Sequence, residues 1–269
     1  MPTVLITGAS AGIGAATAKV FADGGYDVIL TARRADKLAT VADVIRKAHP
    51  DRKIVTVECD VASDESVKAL FEKVSADFGA LNVLVNNAGF GVYGLVEETS
   101  VADYRANMET NFLGVIRCVQ AALPLLRRAA AATPARWGAS IVMVSSIVGK
   151  RSMPRVSAYC ATKFALEALS ESLRVELWDE RISVSVINPG VTKTDFFDSA
   201  VGTRPGGFIS AESGMPSETV ARVILKAARK PMRNKYLTFM GKIGVALQWL
   251  SPSLFDVALK SRMKKLKKP

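Results

Sequence analysis

Short runs of apolar, mostly β-branched residues alternate with helical patterns along this chain from its first residues onward. Most of the runs lack an alternation of apolar and polar residues, so both faces of each strand are expected to be covered. Strands separated by helices with short links predict one doubly wound, parallel α/β sheet of Rossmann type, with helices on both faces. About seven strands are expected, in the order 3-2-1-4-5-6-7, with the ligand beyond their carboxyl ends where the strand order reverses.

The same patterns predict the bounds of the elements. Strands are expected at 3–7, 27–32, 53–58, 82–86, 140–145, 182–188 and 235–239. Helices are expected at 12–23, 35–48, 64–78, 101–131, 156–180 and 217–229. Because 269 residues fit one such domain, we assign 1–240 to it, with a substrate loop at 190–216, and 241–269 to a helical C-terminal extension.

The net charge of +11 is concentrated near the end of the chain. Residues 229–269 contain eleven lysines and arginines but a single acid, Asp256, so the preceding 228 residues together carry about +1. Nucleic-acid binding by the main domain is therefore not expected, since it requires a basic footprint there.

The C-terminal extension allows two interpretations. Phe255, Leu259, Met263 and Leu266 recur at helical spacing, and basic residues fill much of the remaining helix surface near the end. In the first interpretation, this basic helix lies peripherally on an anionic membrane. In the second, which we favour, it packs on the domain near the substrate entrance, where Trp249 and Phe255 would close an apolar pocket.

Composition also bears on the compartment and on metals. No run approaches the roughly 18 apolar residues that a spanning helix needs, and no signal peptide is predicted before the strand that begins at Thr3. Cys59, Cys118 and Cys160 are too few and too scattered for a disulfide framework or a zinc site, and the chain has one histidine. We predict a cytoplasmic protein without a metal, with a membrane surface as the alternative location.

A glycine-rich loop follows the first predicted strand, in the sequence T-G-A-S-A-G-I-G. Gly8 allows a tight turn, Gly12 lets the backbone approach a pyrophosphate, and Gly14 lets the next helix pack close to the sheet. The helix N-terminus offers free N–H groups and a partial positive charge to phosphates. The alternative is a purely structural turn, because the spacing differs from the common G-x-G-x-x-G. The predicted nucleotide-binding residues of the loop are Gly8, Ser10, Ala11, Gly12, Ile13 and Gly14.

The end of the second predicted strand indicates which nucleotide binds. Sites for NAD usually place an acid here for the ribose 2′-hydroxyl, but this chain has Ala32 followed by Arg33 and Arg34. A planar guanidinium suits a 2′-phosphate through charge-assisted hydrogen bonds. We therefore predict NADP(H) rather than NAD(H); the alternative is that the two arginines only line a solvated loop.

Tyr159 and Lys163 lie four residues apart on a predicted helix, so they share one helix face. A nearby ammonium group favours the phenolate and is expected to lower the pKa of the tyrosine. Ser146, at a strand end, would donate a hydrogen bond to a substrate oxygen. These three residues predict proton transfer coupled to hydride transfer; the alternatives are a surface pair and a serine that caps a turn.

The motifs stand in a fixed order: the glycine loop, Asn86-Asn87-Ala88-Gly89, Asn111, Ser146, Tyr159-x-x-x-Lys163, and Pro189-Gly190 followed by Thr194. Over about residues 3–195 this set resembles the short branch of the short-chain dehydrogenase/reductase family. Some NADP-preferring members carry a basic residue where this chain has Ala11, so the NADP(H) prediction depends on the two arginines.

The resemblance implies further roles for residues of the site. Asp60, with Val61 after it, is expected to bind the adenine. Asn111 is expected at an irregular turn of its helix, where it would hold a water linked to Lys163 and complete a proton relay. The remaining cofactor contacts that the resemblance implies come from Asn87, Ala88, Gly89, Tyr159, Lys163, Pro189, Gly190, Thr192 and Thr194.

These features predict an NADP(H)-dependent oxidoreductase that interconverts a carbonyl and an alcohol, with Tyr159 as general acid and base. A hydrophobic substrate is expected, because the candidate walls are apolar: Phe90, Val92, Tyr93, Met153, Phe196, Phe197 and Phe208. Gly202, Gly206, Gly207 and Gly214 suit a mobile lid. The resemblance implies a homodimer or homotetramer through the helices at 101–131 and 156–180. Alternatives are a non-catalytic nucleotide sensor or scaffold on the same fold, or an epimerase or dehydratase.

Overall fold

The computed structural model describes residues 1–194, 196, 200–202 and 214–266. Within these, the side chains of 249, 254, 258 and 262–266 are outside the description. Predictions for Phe197, Phe208, Gly206, Gly207 and the side chain of Trp249 therefore fall outside the described part of the chain.

Seven parallel strands form the central sheet. They are β1 Thr3–Thr7, β2 Asp27–Ala32, β3 Ile54–Glu58, β4 Val83–Asn86, β5 Ala139–Val144, β6 Ile182–Asn188 and β7 Lys235–Tyr236. Their order across the sheet is β3-β2-β1-β4-β5-β6-β7, which confirms the predicted order and the reversal beside β1. In the register, Leu5 of β1 pairs with Ile29 of β2 on one side and with Leu84 of β4 on the other.

Nine α-helices are present in the described residues. They are α1 Gly12–Asp23, α2 Ala35–Ala48, α3 Asp64–Phe78, α4 Val101–Met108, α5 Gly114–Ala131, α6 Ser157–Glu176, α7 Ser217–Arg229, α8 Phe239–Leu250 and α9 Pro252–Leu266. Side chains alternate between the two faces of a strand. Accordingly Val4 and Ile6 of β1 pack with α1, α2 and α7, whereas Leu5 packs with α3, α5 and α6. Covering both faces explains why the strands are apolar throughout.

The helix predicted at 101–131 is interrupted in the structure. A single π-helical turn, Glu109–Leu113, separates α4 from α5. Asn111 sits in this turn and is buried, while Gly114 lies so close to the loop after β3 that an added Cβ would be 2.8 Å from Val61 Cγ2. Such turns frequently mark functional sites.

Two other predicted bounds differ from the structure by three or four residues. The helix predicted to continue to residue 180 ends at Glu176, and Arg181 then takes a left-handed backbone conformation before β6. The last strand ends at Tyr236 rather than 239, because the Thr238 side chain accepts a hydrogen bond from the Gly241 N–H and caps α8.

The C-terminal extension forms two helices, α8 and α9, as predicted. Arg151, in the loop before α6, holds both: it donates to Gln248 at 2.6 Å, and it pairs with Asp256. Its guanidinium also lies 4.7 Å from the centroid of the Phe255 ring, and Leu259 is buried. No helix in the described residues is long and apolar enough to cross a bilayer.

Candidate active site

The glycine loop joins β1 to α1 in a conformation that, at its glycine positions, only residues without a side chain can adopt. Gly8 and Gly12 have φ of +67° and +53°, which L side chains rarely adopt. A Cβ on Gly14 would be 2.2 Å from the Gly8 carbonyl oxygen, so only glycine lets α1 approach the loop this closely. Ala11 occupies the N-cap of α1, and no side chain in the described residues caps this helix end. The cradle therefore fits the phosphates of a dinucleotide.

Thr7 and Asn87 fasten this loop to the end of β4. The Thr7 hydroxyl accepts hydrogen bonds from the N–H groups of Asn87 and Ala88, both at 3.0 Å. The Asn87 amide donates to the carbonyls of Thr7 at 2.9 Å and Gly8 at 3.2 Å. Asn87 thus shapes the cofactor cradle by holding its backbone.

The arginines after β2 lie on the exposed side of the same loop. Both Arg33 and Arg34 are exposed, and Arg34 Nη2 donates to Ser10 Oγ at 3.2 Å. Asp60 follows β3, where its carboxylate accepts from the Ala62 N–H at 3.0 Å. The residues predicted for the ribose phosphate and the one predicted for the adenine are therefore brought to the carboxyl ends of the neighbouring strands β2 and β3.

Ser146 and Tyr159 meet at the carboxyl end of β5. Ser146 caps a short 3₁₀ turn, Ile147–Gly149, and its hydroxyl lies near the phenol of Tyr159 from α6. Lys163 follows one turn later and donates from Nζ to the Val144 carbonyl at 2.8 Å, with Nζ 5.6 Å from the centroid of the Tyr159 ring. The three predicted catalytic side chains thus form one cluster.

Burial dominates the acid–base properties of this cluster. It raises the pKa of Tyr159, an effect that nearby Tyr93 strengthens and the nearby Ser146 hydroxyl opposes. Burial also lowers the pKa of Lys163 to about 8, against the opposing influence of Glu167. The expected lowering of the tyrosine pKa by Lys163 is therefore not found, because desolvation outweighs it and the ammonium is directed at the Val144 carbonyl.

Asn111 connects the π-helical turn to both sides of the site. Its amide pairs with the backbone of Phe90, accepting from the N–H and donating to the carbonyl, each at 3.0 Å. It also donates to Thr162 Oγ1 at 3.2 Å, next to Lys163 on α6. The Asn111 side chain is thus engaged within the protein, and the water contact stays a prediction.

Asn107 is a residue of this region that the sequence prediction missed. It is fully buried and donates to the same Phe90 carbonyl at 2.9 Å. The available signal was its spacing, since Asn107 and Asn111 lie four residues apart and so share a helix face. Together the two amides hold the loop after β4 beside the catalytic helix.

The segment after β6 closes the site from the other side. The Pro189 carbonyl accepts from the Ile147 N–H at 3.1 Å, and buried Thr192 donates to the Gly190 carbonyl at 3.2 Å. The Thr194 side chain reaches the glycine loop, where a Cβ on Gly12 would be 2.9 Å from its methyl group. The residues predicted for the nicotinamide end therefore stand between the glycine loop and Ser146.

Apolar side chains surround Tyr159. The Phe196 ring lies 5.4 Å from the Tyr159 ring, centroid to centroid. Tyr93 packs in a buried cluster with Val156 and Cys160, and Met153 lies against this cluster. Four of the predicted wall residues, Val92, Tyr93, Met153 and Phe196, are thus near the phenol or in the adjoining strand pair with Val201–Gly202.

A sequence model of one family, described as short chain dehydrogenase, matches residues 2–204. The chain belongs to the short-chain dehydrogenase/reductase family. Membership gives it an NAD(P)-binding Rossmann fold within a family of oxidoreductases.

Individual members of the family resemble the chain over nearly its whole length. Bovine (Bos taurus) dehydrogenase/reductase SDR family member 7B is 33% identical over 275 residues, covering 98% of this chain and 82% of the bovine protein. An alcohol dehydrogenase from the archaeon Thermococcus sibiricus, solved with 5-hydroxy-NADP, has a TM-score of 0.75 at 29% identity, covering 88% of this chain and 95% of that one. A short-chain dehydrogenase/reductase from Burkholderia phymatum, solved with NAD, has the same fold, with a TM-score of 0.83, 24% identity and 94% of each chain covered.

Proposed function

We propose that this short-chain dehydrogenase/reductase interconverts a carbonyl and an alcohol with NADP(H), and that Tyr159 is its general acid and base. The observation that carries the proposal is the cluster at the end of β5, where Ser146 lies near the phenol of Tyr159 and the Lys163 ammonium nitrogen lies 5.6 Å from the centroid of the Tyr159 ring. The hydroxyls of Ser146 and Tyr159 can both donate hydrogen bonds to the oxygen of a carbonyl, on which negative charge develops during reduction.

Each catalytic residue has a part in the reduction. When bound in the glycine-loop cradle, the dinucleotide would supply a hydride for the carbonyl carbon. Ser146 donates a hydrogen bond to the carbonyl oxygen, and Tyr159 transfers its phenolic proton to that oxygen as the alkoxide forms. Lys163 holds a positive charge near the resulting phenolate and stabilises it. Asn111 hydrogen-bonds both the Phe90 backbone and Thr162, and so fixes the loop after β4 relative to the helix of Tyr159.

The raised pKa of Tyr159 favours the acid role. At neutral pH the phenol keeps its proton, as a proton donor for carbonyl reduction must. In the oxidative direction the same group has to ionise first, and the positive charge of an oxidised nicotinamide would favour that.

The preference for NADP(H) is supported by Arg34 and Ser10. The guanidinium already lies 3.2 Å from the Ser10 hydroxyl, so both donors are arranged beside the glycine loop. Ala32 offers no carboxylate that would repel a 2′-phosphate. The archaeal alcohol dehydrogenase that resembles this chain was solved with an NADP analogue. Comparing KM for NADPH and NADH tests the preference.

A hydrophobic substrate is supported by the side chains around Tyr159. Phe196, Met153 and Tyr93 offer apolar surface there. A panel of apolar and small polar carbonyl compounds, followed by the absorbance of NADPH, tests both the reaction and the substrate class. Reduction of apolar ketones or aldehydes is expected; turnover restricted to small polar ketols would contradict the substrate class.

Self-association is supported by apolar side chains exposed on α6. Phe164 and Val175 are 42% and 77% exposed. A homodimer or homotetramer through α5 and α6 would cover part of this surface, and light scattering of the full chain measures the assembly. The cytoplasmic location stays a prediction.

A further inference from the structure

Helix α8 has an inner face that is built to contact the domain. A Cβ on Gly241 would be 2.9 Å from Ile147, and a Cβ on Gly244 would be 3.6 Å from Phe255. Gln248 accepts the hydrogen bond from Arg151 at 2.6 Å. These three positions follow one another at helical spacing, so α8 is fixed against the turn that begins at Ser146.

The opposite side of α8, the outer face, is apolar and exposed. Phe239, Met240, Leu247 and Leu250 are 76%, 73%, 45% and 81% exposed, and their spacing places them along one stripe of the helix. The exposed side of α7 is different, because it carries charged residues: Glu218, Arg222, Lys226 and Arg229. A helix side in contact with water is normally polar, so the outer face indicates a partner.

Positive charge accompanies the outer face. Lys242 and Lys260 are exposed, and α9 continues through a sequence rich in lysine and arginine. Residues 229–269 carry eleven basic residues and one acid, and that acid, Asp256, is paired with Arg151. The partner is therefore expected to be anionic as well as apolar.

We propose that the outer face of α8 docks on the surface of an anionic lipid bilayer. Its apolar side chains would enter the boundary between headgroups and acyl chains, while the lysines contact acidic headgroups. A second copy bound through the same patch would set two strongly basic segments against each other, which like-charge repulsion disfavours. The sequence left two interpretations of the extension, packing on the domain and lying on a membrane, and docking combines them. The inner sides of α8 and α9 pack on the domain, and their outer side contacts the membrane.

Docking has a consequence that rests on the proposed function. Because the inner face of α8 contacts Ile147, directly after Ser146, the substrate entrance would lie close to the bilayer. A carbonyl or alcohol dissolved in the membrane would then reach Tyr159 without crossing bulk water. The substrate class that this arrangement suits is lipid-soluble.

Sedimentation of the full chain with vesicles tests the docking. Phosphatidylcholine vesicles are compared with vesicles that also contain phosphatidylserine, with and without added salt. We expect binding to the acidic vesicles that weakens as salt increases, and an affinity about tenfold or more lower for Phe239→Ser/Leu250→Ser. Val44→Ser/Val96→Ser is the matched control, because these side chains are 59% and 71% exposed elsewhere on the domain, and it should bind like the wild type.

A second variant addresses the charge and keeps the fold intact. Lys242→Gln/Lys260→Gln should lower the affinity for acidic vesicles and reduce its salt dependence. Equal vesicle binding by all variants, or no preference for acidic lipid, would overturn the proposal. It would also be overturned if the Phe239→Ser/Leu250→Ser variant lost a dimer, measured by light scattering, while the wild type ignored vesicles.

The test distinguishes docking from catalysis, because vesicle binding is measured without substrate. A protein that binds acidic vesicles but never oxidises NADPH supports docking and contradicts the proposed function. An active reductase that ignores vesicles contradicts docking alone.

Discussion

Ser146 and Tyr159 lie thirteen positions apart in the chain, but the fold brings the Ser146 hydroxyl close enough to the Tyr159 phenol to lower the pKa of that phenol. Strand β5 delivers the serine and helix α6 the tyrosine. Gly149 allows the intervening turn to pack on α6, because a Cβ there would be 2.9 Å from the Lys163 carbonyl oxygen. The placement of Ser146 beside Tyr159 thus depends on close backbone packing between the turn after β5 and α6.

Gly14→Ala should disrupt the cofactor cradle. The added methyl would lie 2.2 Å from the Gly8 carbonyl oxygen, so the loop or α1 must shift. We expect the free energy of unfolding to fall by about 1–3 kcal/mol and NADPH binding to weaken. Urea unfolding and NADPH fluorescence measure the two effects. Gly244→Ala is the control, since its methyl makes only an ordinary contact; equal effects of the two variants would contradict the assignment of the cradle.

Arg34→Ala should reduce the preference for NADPH. The variant removes a charge-assisted donor beside Ser10, and such hydrogen bonds are worth about 1.5–3 kcal/mol, or roughly tenfold to a hundredfold in KM. KM for NADH should change little. Arg222→Ala, at an exposed position of α7, controls for the loss of one charge. An equal rise in KM for NADPH and in KM for NADH would mean that Arg34 does not bind the 2′-phosphate.

Lys163→Met should change how stability depends on pH. Burial lowers the pKa of Lys163 to about 8, whereas a lysine in an unfolded chain titrates near about 10.4. Between these pH values the unfolded chain binds the extra proton, so wild-type stability gains up to about 1.4 kcal/mol per pH unit from this group. Relative to the Met variant, the wild type should therefore become more stable from about pH 8 to 10. Urea unfolding measures this difference, and a difference that stays constant with pH would refute the lowered pKa.

Lys150→Ala should destabilise the region behind the catalytic lysine. Lys150 Nζ lies 3.0 Å from the carboxylate of Glu167, whose side chain is only 5% exposed. Removing one partner leaves a buried charge without its ion pair, which costs about 3–5 kcal/mol. Arg222→Ala, which breaks an exposed pair with Glu218, should cost less than about 1 kcal/mol. Similar losses of unfolding free energy in the two variants would contradict a buried role for the pair.

Local sequence patterns predict most of this fold, because the strands are apolar on both faces and the helices between them are regular. The irregular turn at Asn111 is predicted only by the family resemblance and has no local signature, because it depends on contacts distant in sequence, between Asn111 and Phe90 and between Gly114 and Val61. The contact of Arg151 with Gln248 and Asp256 spans about a hundred positions and has no local signature.

The sequence predicts which residues form the candidate site better than it predicts their pKa values. Spacing alone places Tyr159 and Lys163 on one helix face. It does not reveal that the Lys163 ammonium donates to the Val144 carbonyl, nor that burial raises the pKa of the phenol. Desolvation depends on the folded surroundings, so the direction of this shift could be read only from the structure.

The most direct test of the account is the turnover of Tyr159→Phe with NADPH and an apolar ketone that the wild type reduces. The substitution removes only the phenolic oxygen, so kcat should fall by about 10²–10⁴-fold. The affinity for NADPH should be retained, and Tyr26→Phe, in the core beside Phe21, should keep wild-type turnover. A Tyr159→Phe variant that reduces the ketone at the wild-type rate would contradict the assignment of Tyr159 as the proton donor.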